Sequence, residues 1–480
     1  MIAILFLSST LVQADLIDVN KNKTFEKTVV LKNNNAKWTV MYYMCCDSYM
    51  YEYSEPLLEN LTKIGSTKDM NLVVLYDGKL DNDSKIYYID KLEKKVLLNH
   101  ELGWPDEVDM SKPLTLELFC KDIMGYYPAE HYAFITYASG ATGWQLYPMD
   151  DKDGLGDITI PKFAQTLKKI TQDGKNKLDV LQTSCCMSSI ELAYEVFPYV
   201  DYLVTTQEHI TGHRIIQRHY LAVKDLHDNT SMSPEEFSKR ASENHVPQKC
   251  NYWESYGYTT WGHITNWLDQ IPLPGFNKVL VKTSVTVLNL SKIGKLVENV
   301  KNLSSYLLLH SKDNEIRDTI TAAWKDTRKF GRATSFHPFI NFLYSTFPFK
   351  LLPYKPTHPI NKMFRFLSNK MQFLYIKIPI EILAYNCRLD LYHFTMILRD
   401  ITNNSHLKDL LAETQQCVNE TVISIKKVKG DHSYGINIYF PSGKNSYNKY
   451  IDGGKSPITY ETLKFSKDTN WDEFLKVYFN

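Results

Sequence analysis

The residue best placed to do chemistry is Cys185. In LDVLQTSCCMSSIELAYE, residues 178–195, Leu178, Val180 and Leu181 form a short apolar run suited to a strand buried on both faces. Thr183-Ser184-Cys185-Cys186 interrupts it with small side chains, and from Ser188 onward Ile190, Leu192, Ala193 and Val196 fall at helical spacing. Ser188 followed by Glu191 predicts a capping box at the helix start. A thiol between the carboxyl end of a strand and a helix N-terminus gains thiolate character from the amides and the dipole, so Cys185 could act as a nucleophile. On spacing alone, a plainer reading stands even with that one: Cys185 and Cys186 as buried small hydrophobes, or as half of a disulfide. A second group lies in the loop Met149 to Asp157, where Asp151, Asp153 and Asp157 could hold Ca²⁺. That loop lacks the downstream Glu of an EF-hand, and a surface turn is its plainer reading.

The elements that would position these residues alternate between strand and helix. Strands are expected at 37–44, 70–76, 131–137 and 201–206, with a hairpin over 85–98. Helices are expected through Leu61, over 114–124 and over 161–171. The alternation predicts a three-layer α/β architecture, a mostly parallel sheet flanked by helices with its site at the carboxyl ends of the strands. Residues 234–375 read as mainly helical, and 376–480 as a C-terminal α+β region with a helix at 390–398 and the strand-like VISIKKVK and GINIYF. The division expected is thus 1–14, 15–36, 37–233, 234–375 and 376–480.

Across the 480 residues, Lys+Arg 55 against Asp+Glu 54 leaves no electrostatic case for nucleic acid. No later stretch has about 18 consecutive apolar residues, so no membrane span is implied. Residues 1–14, MIAILFLSSTLVQA, read as a signal peptide cleaved before Asp15, although a basic residue near the start is missing. The polar Lys/Asn-rich stretch 15–36 reads as a flexible leader. Eight Asn-x-Ser/Thr triplets begin at Asn22, Asn60, Asn82, Asn229, Asn289, Asn302, Asn403 and Asn419, glycan acceptors if the chain passes through a eukaryotic secretory pathway. Eight cysteines are too sparse for a disulfide framework and show no metal-site spacing, while leaving room for a few bridges.

Several stretches together resemble the clostripain family of cysteine peptidases, which has the caspase-like fold of clan CD. KWTVMYYMCCDSYM is similar to its first strand and loop, YPAEHYAFITYASGATGW to the strand ending in an Asn-His-Gly-Ser-Gly-Trp motif, and DKDGLGDITIPKFAQTL to its acidic loop and helix. LDVLQTSCCMSSIELAYE resembles the nucleophile segment and DYLVTTQEHITG the next strand, with Asp390-Leu391-Tyr392-His393-Phe394, YGINIYFP and WDEFLKVY as C-terminal landmarks. The resemblance runs in order over about residues 37–480.

Carried over residue by residue, the resemblance puts the nucleophile on Cys185 and the catalytic histidine on Gly140. A cysteine peptidase needs a base for the thiol proton and an acid for the leaving amine, and glycine supplies neither. The family's aspartate in the pocket for a basic side chain falls on Thr183, so a substrate Lys or Arg would lack its counter-charge. The loop carrying Gly143 and Trp144 could still supply backbone donors to an oxyanion. The family's calcium dependence adds weight to the acidic loop, and its habit of internal cleavage would point to Lys152. His131 begins the strand that leads to Gly140, roughly 30 Å back along a straight strand, and reads as structural. His209 and His213, expected in the loop after the 201–206 strand, are the reachable substitutes. The leading expectation is a secreted, monomeric homologue with a degraded dyad that acts by binding a peptide or protein ligand. The alternatives are an active peptidase using His209 or His213 or with altered specificity, and a surface or adhesion scaffold that keeps only the fold.

Overall fold

The computed structural model describes residues 36–47, 51–90, 95–138, 158–183, 186–208, 212–245, 249–251, 280–330, 388–448 and 458–480. The apolar runs become strands: β1 (Ala36–Cys45), β2 (Met70–Asp77), the hairpin β3 (Lys85–Ile89) and β4 (Lys95–Leu97), β5 (Ala129–Ala138), β6 (Leu178–Gln182) and β7 (Val200–Thr205). Between them run α1 (Tyr51–Ile64), the single turn α2 (Asn99–Leu102), α3 (Pro113–Tyr126), α4 (Ile160–Ile170) and α5 (Ile190–Val196). After β7 come α6 (Gly212–Asp228), α7 (Pro234–Glu243), a two-stranded ribbon of β8 (Lys249–Asn251) and β9 (Leu280–Lys282), and β10 (Ser284–Asn289). Then follow α8 (Ile293–Leu309), α9 (Asn314–Asp326), β11 (Lys329–Phe330), β12 (Arg388–Asp390), α10 (Leu391–Ile401) and α11 (Ser405–Thr421). The chain closes with β13 (Val422–Lys427), β14 (Asn437–Tyr439), α12 (Lys464–Asp468) and α13 (Trp471–Phe479).

Nine strands form one sheet in the order β13-β10-β7-β6-β5-β1-β2-β3-β4, and its five central strands are parallel. Alternation of side chains decides what each face buries. From β1, Met41, Tyr43 and Cys45 enter a core with residues of α3, α4, α5 and α8. Trp38, Val40, Tyr42 and Met44 point the other way, against residues of α1, α6 and α7. Helices on both faces make this the expected three-layer arrangement. The antiparallel strands β10 and β13 extend the sheet beyond β7, so it also draws on the stretches read from sequence as helical and as C-terminal. Chain order reverses between β1 and β5, and in open α/β sheets ligands bind beyond the carboxyl ends of the strands at such a reversal.

A second, three-stranded sheet, β11-β12-β14, comes from the C-terminal part of the chain. It joins the segment that follows β6 through a parallel bridge between Ser189 and Asn437. Trp471 of α13 anchors it from behind, donating from Nε1 to the Tyr439 carbonyl at 2.7 Å and packing edge-on against Phe440.

Candidate functional site

The described residues on either side of Cys185 are held from three directions. Strand β6 ends at Gln182, but Thr183 keeps one more sheet bond, its amide donating to the Val204 carbonyl at 2.9 Å. The Thr183 hydroxyl lies 2.7 Å from that of Thr205, and the Thr183 carbonyl accepts from Arg218 Nη2 at 2.8 Å. Cys185 lies outside the described residues; the chain resumes at Cys186, which is buried with φ of 57°. A left-handed conformation at a residue with a Cβ costs on the order of 1–3 kcal/mol and persists only where its surroundings impose it. Here the Cys186 amide donates to Thr206 Oγ1 at 2.8 Å, the Ser188 amide to the Thr206 carbonyl at 3.0 Å, and Arg388 Nη1 to the Cys186 carbonyl.

The expected capping box is corrected by one residue. Ser189 is the N-cap of α5, its hydroxyl accepting from the Leu192 amide at 3.2 Å. Ser188 turns its hydroxyl to the Gly435 carbonyl instead. Glu191 reaches the C-terminal segment, accepting from the Tyr439 amide and the Tyr460 hydroxyl, each at 2.8 Å. Its burial pushes the carboxyl above the usual range.

Strand β5 ends at Ala138, beside β6, with Ile135 in register with Gln182. Gly140, Gly143, Trp144, Asp151, Lys152, Asp153 and Asp157 all fall in 139–157, outside the described residues. In sequence, Gly140 follows the end of β5 by two residues, and Cys185 follows the end of β6 by three. His131 sits near the start of β5, as read from sequence, with Nδ1 2.8 Å from Asp179 Oδ1 and its ring 4.8 Å from Trp38. His209 is outside the described residues. His213 is not in a loop: it belongs to the first turn of α6.

The structure brings forward a histidine that sequence reasoning passed over. His219, wholly buried on α6, accepts from Arg218 Nη2 at Nε2, 3.0 Å away, beside the same guanidinium nitrogen that binds the Thr183 carbonyl. Its ring faces Tyr42 and Tyr137 at 6.1 and 6.4 Å between centroids. Accepting at Nε2 places the imidazole proton on Nδ1, which has no hydrogen-bond partner among the described residues. Burial first, and the neighbouring guanidinium second, hold its pKa well below the ordinary value. An imidazole kept neutral, with its acceptor nitrogen occupied, is a poor receiver for a thiol proton. Its signal was the helical spacing of 219, 222, 223 and 226, where Ala222, Val223 and Leu226 are all buried.

The C-terminal sheet forms the third side. Asp390 is wholly buried; Oδ2 accepts from Gln207 Nε2 at 2.8 Å and from the Tyr434 amide at 2.6 Å, while Oδ1 caps α10 through the His393 amide at 2.9 Å. Gln207 also donates to Asn437 Oδ1 at 2.6 Å and accepts from the Gly435 amide at 2.8 Å, so the loop after β7 is locked to this sheet. Burial raises Asp390 to about 6 against these hydrogen bonds. Nearby, His393 stacks on His432 at 4.5 Å and accepts at Nδ1 from the Arg328 amide at 2.9 Å. Burial, then His432, lower it to about 4.

That depressed value fixes a pH effect. The unfolded imidazole, with a pKa near 6.5, takes up a proton before the folded one does, so the His393 contribution is intact above about pH 6.5 and is lost as pH falls toward 4. The stability advantage of wild type over His393→Gln, from urea unfolding, is expected to shrink between pH 7 and pH 5. A gap that is constant with pH would contradict the neutral, hydrogen-bonded imidazole.

Among the described residues, carboxylate oxygens of Asp77, Asp83 and Glu107 cluster within 4.8 Å of one another. They serve the β2–β3 turn: Asp77 accepts from Ser84, Asp83 from the Gly78 and Leu80 amides, and Glu107 from the Asn82 amide.

Comparison with known proteins places this geometry. The clostripain family model matches residues 42–478. A secreted C11 cysteine protease from Bacteroides thetaiotaomicron, in complex with an irreversible peptide inhibitor, is similar with a TM-score of 0.52 at 15% identity, over 91% of this chain and 100% of that one. An inactive zymogen C11 protease from Parabacteroides distasonis is similar with a TM-score of 0.53 at 13% identity, over 91% of this chain and 99% of that one. No curated protein matches the chain. At these identities the likeness shows the fold, and it agrees with the three-layer architecture read from sequence.

Proposed function

The chain belongs to the clostripain family, and from that premise we propose that it is a secreted cysteine-peptidase homologue that has kept its thiol but lost its base, and that works by binding a peptide or protein. One observation carries the reading: glycine, at position 140, stands where the family's histidine falls. Without a base at that position the thiol of Cys185 stays mostly protonated and the leaving amine has no acid, and loss of one member of such a pair costs several orders of magnitude in rate. His219 supports the reading, since its acceptor nitrogen is taken by Arg218. Thr183 leaves a ligand Lys or Arg without a carboxylate, so the preferred ligand is not defined by a basic anchor. Peptides incubated with the protein should be bound and recovered intact, with Cys185 alkylated by iodoacetamide as a free thiol. Cleaved peptides would defeat the reading, and a Cys185 locked in a disulfide would defeat the free thiol.

A second reading, an active peptidase with a substitute histidine, is favoured by the place of His213 on α6. It precedes Arg218, whose guanidinium binds the Thr183 carbonyl, by five residues, about 7.5 Å of helix rise. Cys185-dependent turnover that disappears in His213→Ala would establish it. The scaffold reading has no observation in its favour beyond the fold itself.

Secretion is supported by the apolar residues 1–14, and among the described residues no helix is long and apolar enough to cross a membrane. None of the seven described glycosylation triplets has a buried asparagine, and Asn82, Asn229, Asn302, Asn403 and Asn419 are exposed. Made through a eukaryotic secretory pathway, the mature chain is expected to begin at Asp15 and to lose mass on treatment with peptide N-glycosidase. A mature chain that still carries residues 1–14 and is unchanged by the enzyme would contradict secretion.

A further inference from the structure

We propose that Arg388, on the C-terminal three-stranded sheet, is a positioning residue for the turn that follows Cys185, acting through the carbonyl oxygen of Cys186. The proposal rests on the reading above that Cys185 is a free thiol in the nucleophile position. Arg388 is 2% exposed, and its Nη1 donates to Cys186 O across 202 residues of sequence. The turn it grips is one the chain would not adopt by itself, because Cys186 has the left-handed φ of 57° without being glycine. Thr206 holds the same residue from the large sheet through the Cys186 amide. The two peptide groups flanking the Cys186 α-carbon are therefore pinned from opposite sides, one by a hydroxyl and one by a charge-assisted bond, the stronger kind.

The arginine is itself well fixed. Its backbone pairs with Phe330 on one side and Tyr439 on the other, and two residues on, Asp390 is bound to Gln207. Cys185 is joined to this turn by the one peptide bond whose amide Thr206 holds, so a turn that shifts would shift the attachment point of Cys185 with it. The guanidinium charge on the next residue's carbonyl is also expected to favour thiolate at Cys185. The C-terminal sheet is on this account part of the site rather than a cover over distant core.

The test is the pH dependence of iodoacetamide alkylation at Cys185, mapped by mass spectrometry, in the full chain and in R388K, R388M and C186G. R388M is expected to alkylate at least tenfold more slowly at pH 7, with its profile displaced to higher pH, while R388K, which keeps the charge, stays within about threefold of wild type. C186G makes the left-handed turn free of strain, so adding it to R388M is expected to recover part of the lost rate; it also gives a second background should R388M alone fold poorly. A folded R388M, alone or with C186G, that alkylates at the wild-type rate and with the wild-type profile would overturn the proposal. So would an R388K as slow as R388M. A wild-type Cys185 that does not alkylate at all would instead overturn the free-thiol reading on which the proposal stands.

Discussion

Gly140→Val is expected to change nothing in peptide turnover, whereas Gly140→His is expected to raise it from background by at least about a hundredfold, the span usually contributed by one well-placed acid–base group. The argument is chemical. The proposed histidine position, 140, follows the end of β5 in sequence, and β5 pairs with β6, the strand that leads to Cys185. An imidazole there could take the thiol proton before attack and return it to the departing amine, so one residue restores both halves of the proton traffic. Helix start and turn at Cys186 are already in place. The gain should fall on substrates with a neutral anchor residue, because Thr183 offers no carboxylate to Lys or Arg. Adding Thr183→Asp should move preference toward basic anchors. Turnover would be followed with fluorogenic peptides of varied anchor residue, each variant checked against its Cys185→Ala counterpart. A folded Gly140→His with no Cys185-dependent gain would contradict the idea that the base alone is missing.

The largest loss of stability is expected at Asp390. Asp390→Ala strips the acceptor from three donors at once, Gln207 Nε2, the Tyr434 amide and the His393 amide, at a wholly buried position. Breaking a buried charged network from one side costs about 3–5 kcal/mol, so the urea unfolding free energy should fall by that amount. Asp390→Asn keeps the cap on α10 but turns an amide toward donors, and should lose less. The pH dependence has a defined sign. With the folded carboxyl raised to about 6 from an unfolded value near 4, the folded state holds its proton longer, and this contribution to stability, full below about pH 4, is lost as pH rises through 6. The gap between wild type and Asp390→Asn should therefore widen as pH falls from 7 to 5. An Asp390→Ala protein as stable as wild type would show that the latch between Gln207 and the C-terminal sheet bears no load.

How much of this was legible beforehand depended on where each residue's partners lie. Strands β1, β2, β5, β6 and β7 announce themselves because burial on both faces demands unbroken apolar runs. Val285 and Val287 of β10 are equally buried, but the strand is six residues long and pairs with Tyr202–Thr205 far back in the chain, so nothing local marks it as part of the main sheet. Helix α6 was missed because its apolar stripe is interrupted by Arg218 and His219, polar residues that are buried only because they find each other and the Thr183 carbonyl. The choice between Ser188 and Ser189 as cap turned on Gly435, whose carbonyl draws the Ser188 hydroxyl away. Arg388 could not be read at all: its partner is a backbone oxygen, which no side-chain pattern records.

The most direct trial of the central claim is the hydrolysis rate of a fluorogenic peptide pool by purified wild-type protein, measured against Cys185→Ala at equal concentration. The proposed loss of the base at position 140 predicts that the two rates are indistinguishable. A wild-type rate that stands clear of background and vanishes in Cys185→Ala would contradict it, and would make this chain a working peptidase with its base elsewhere.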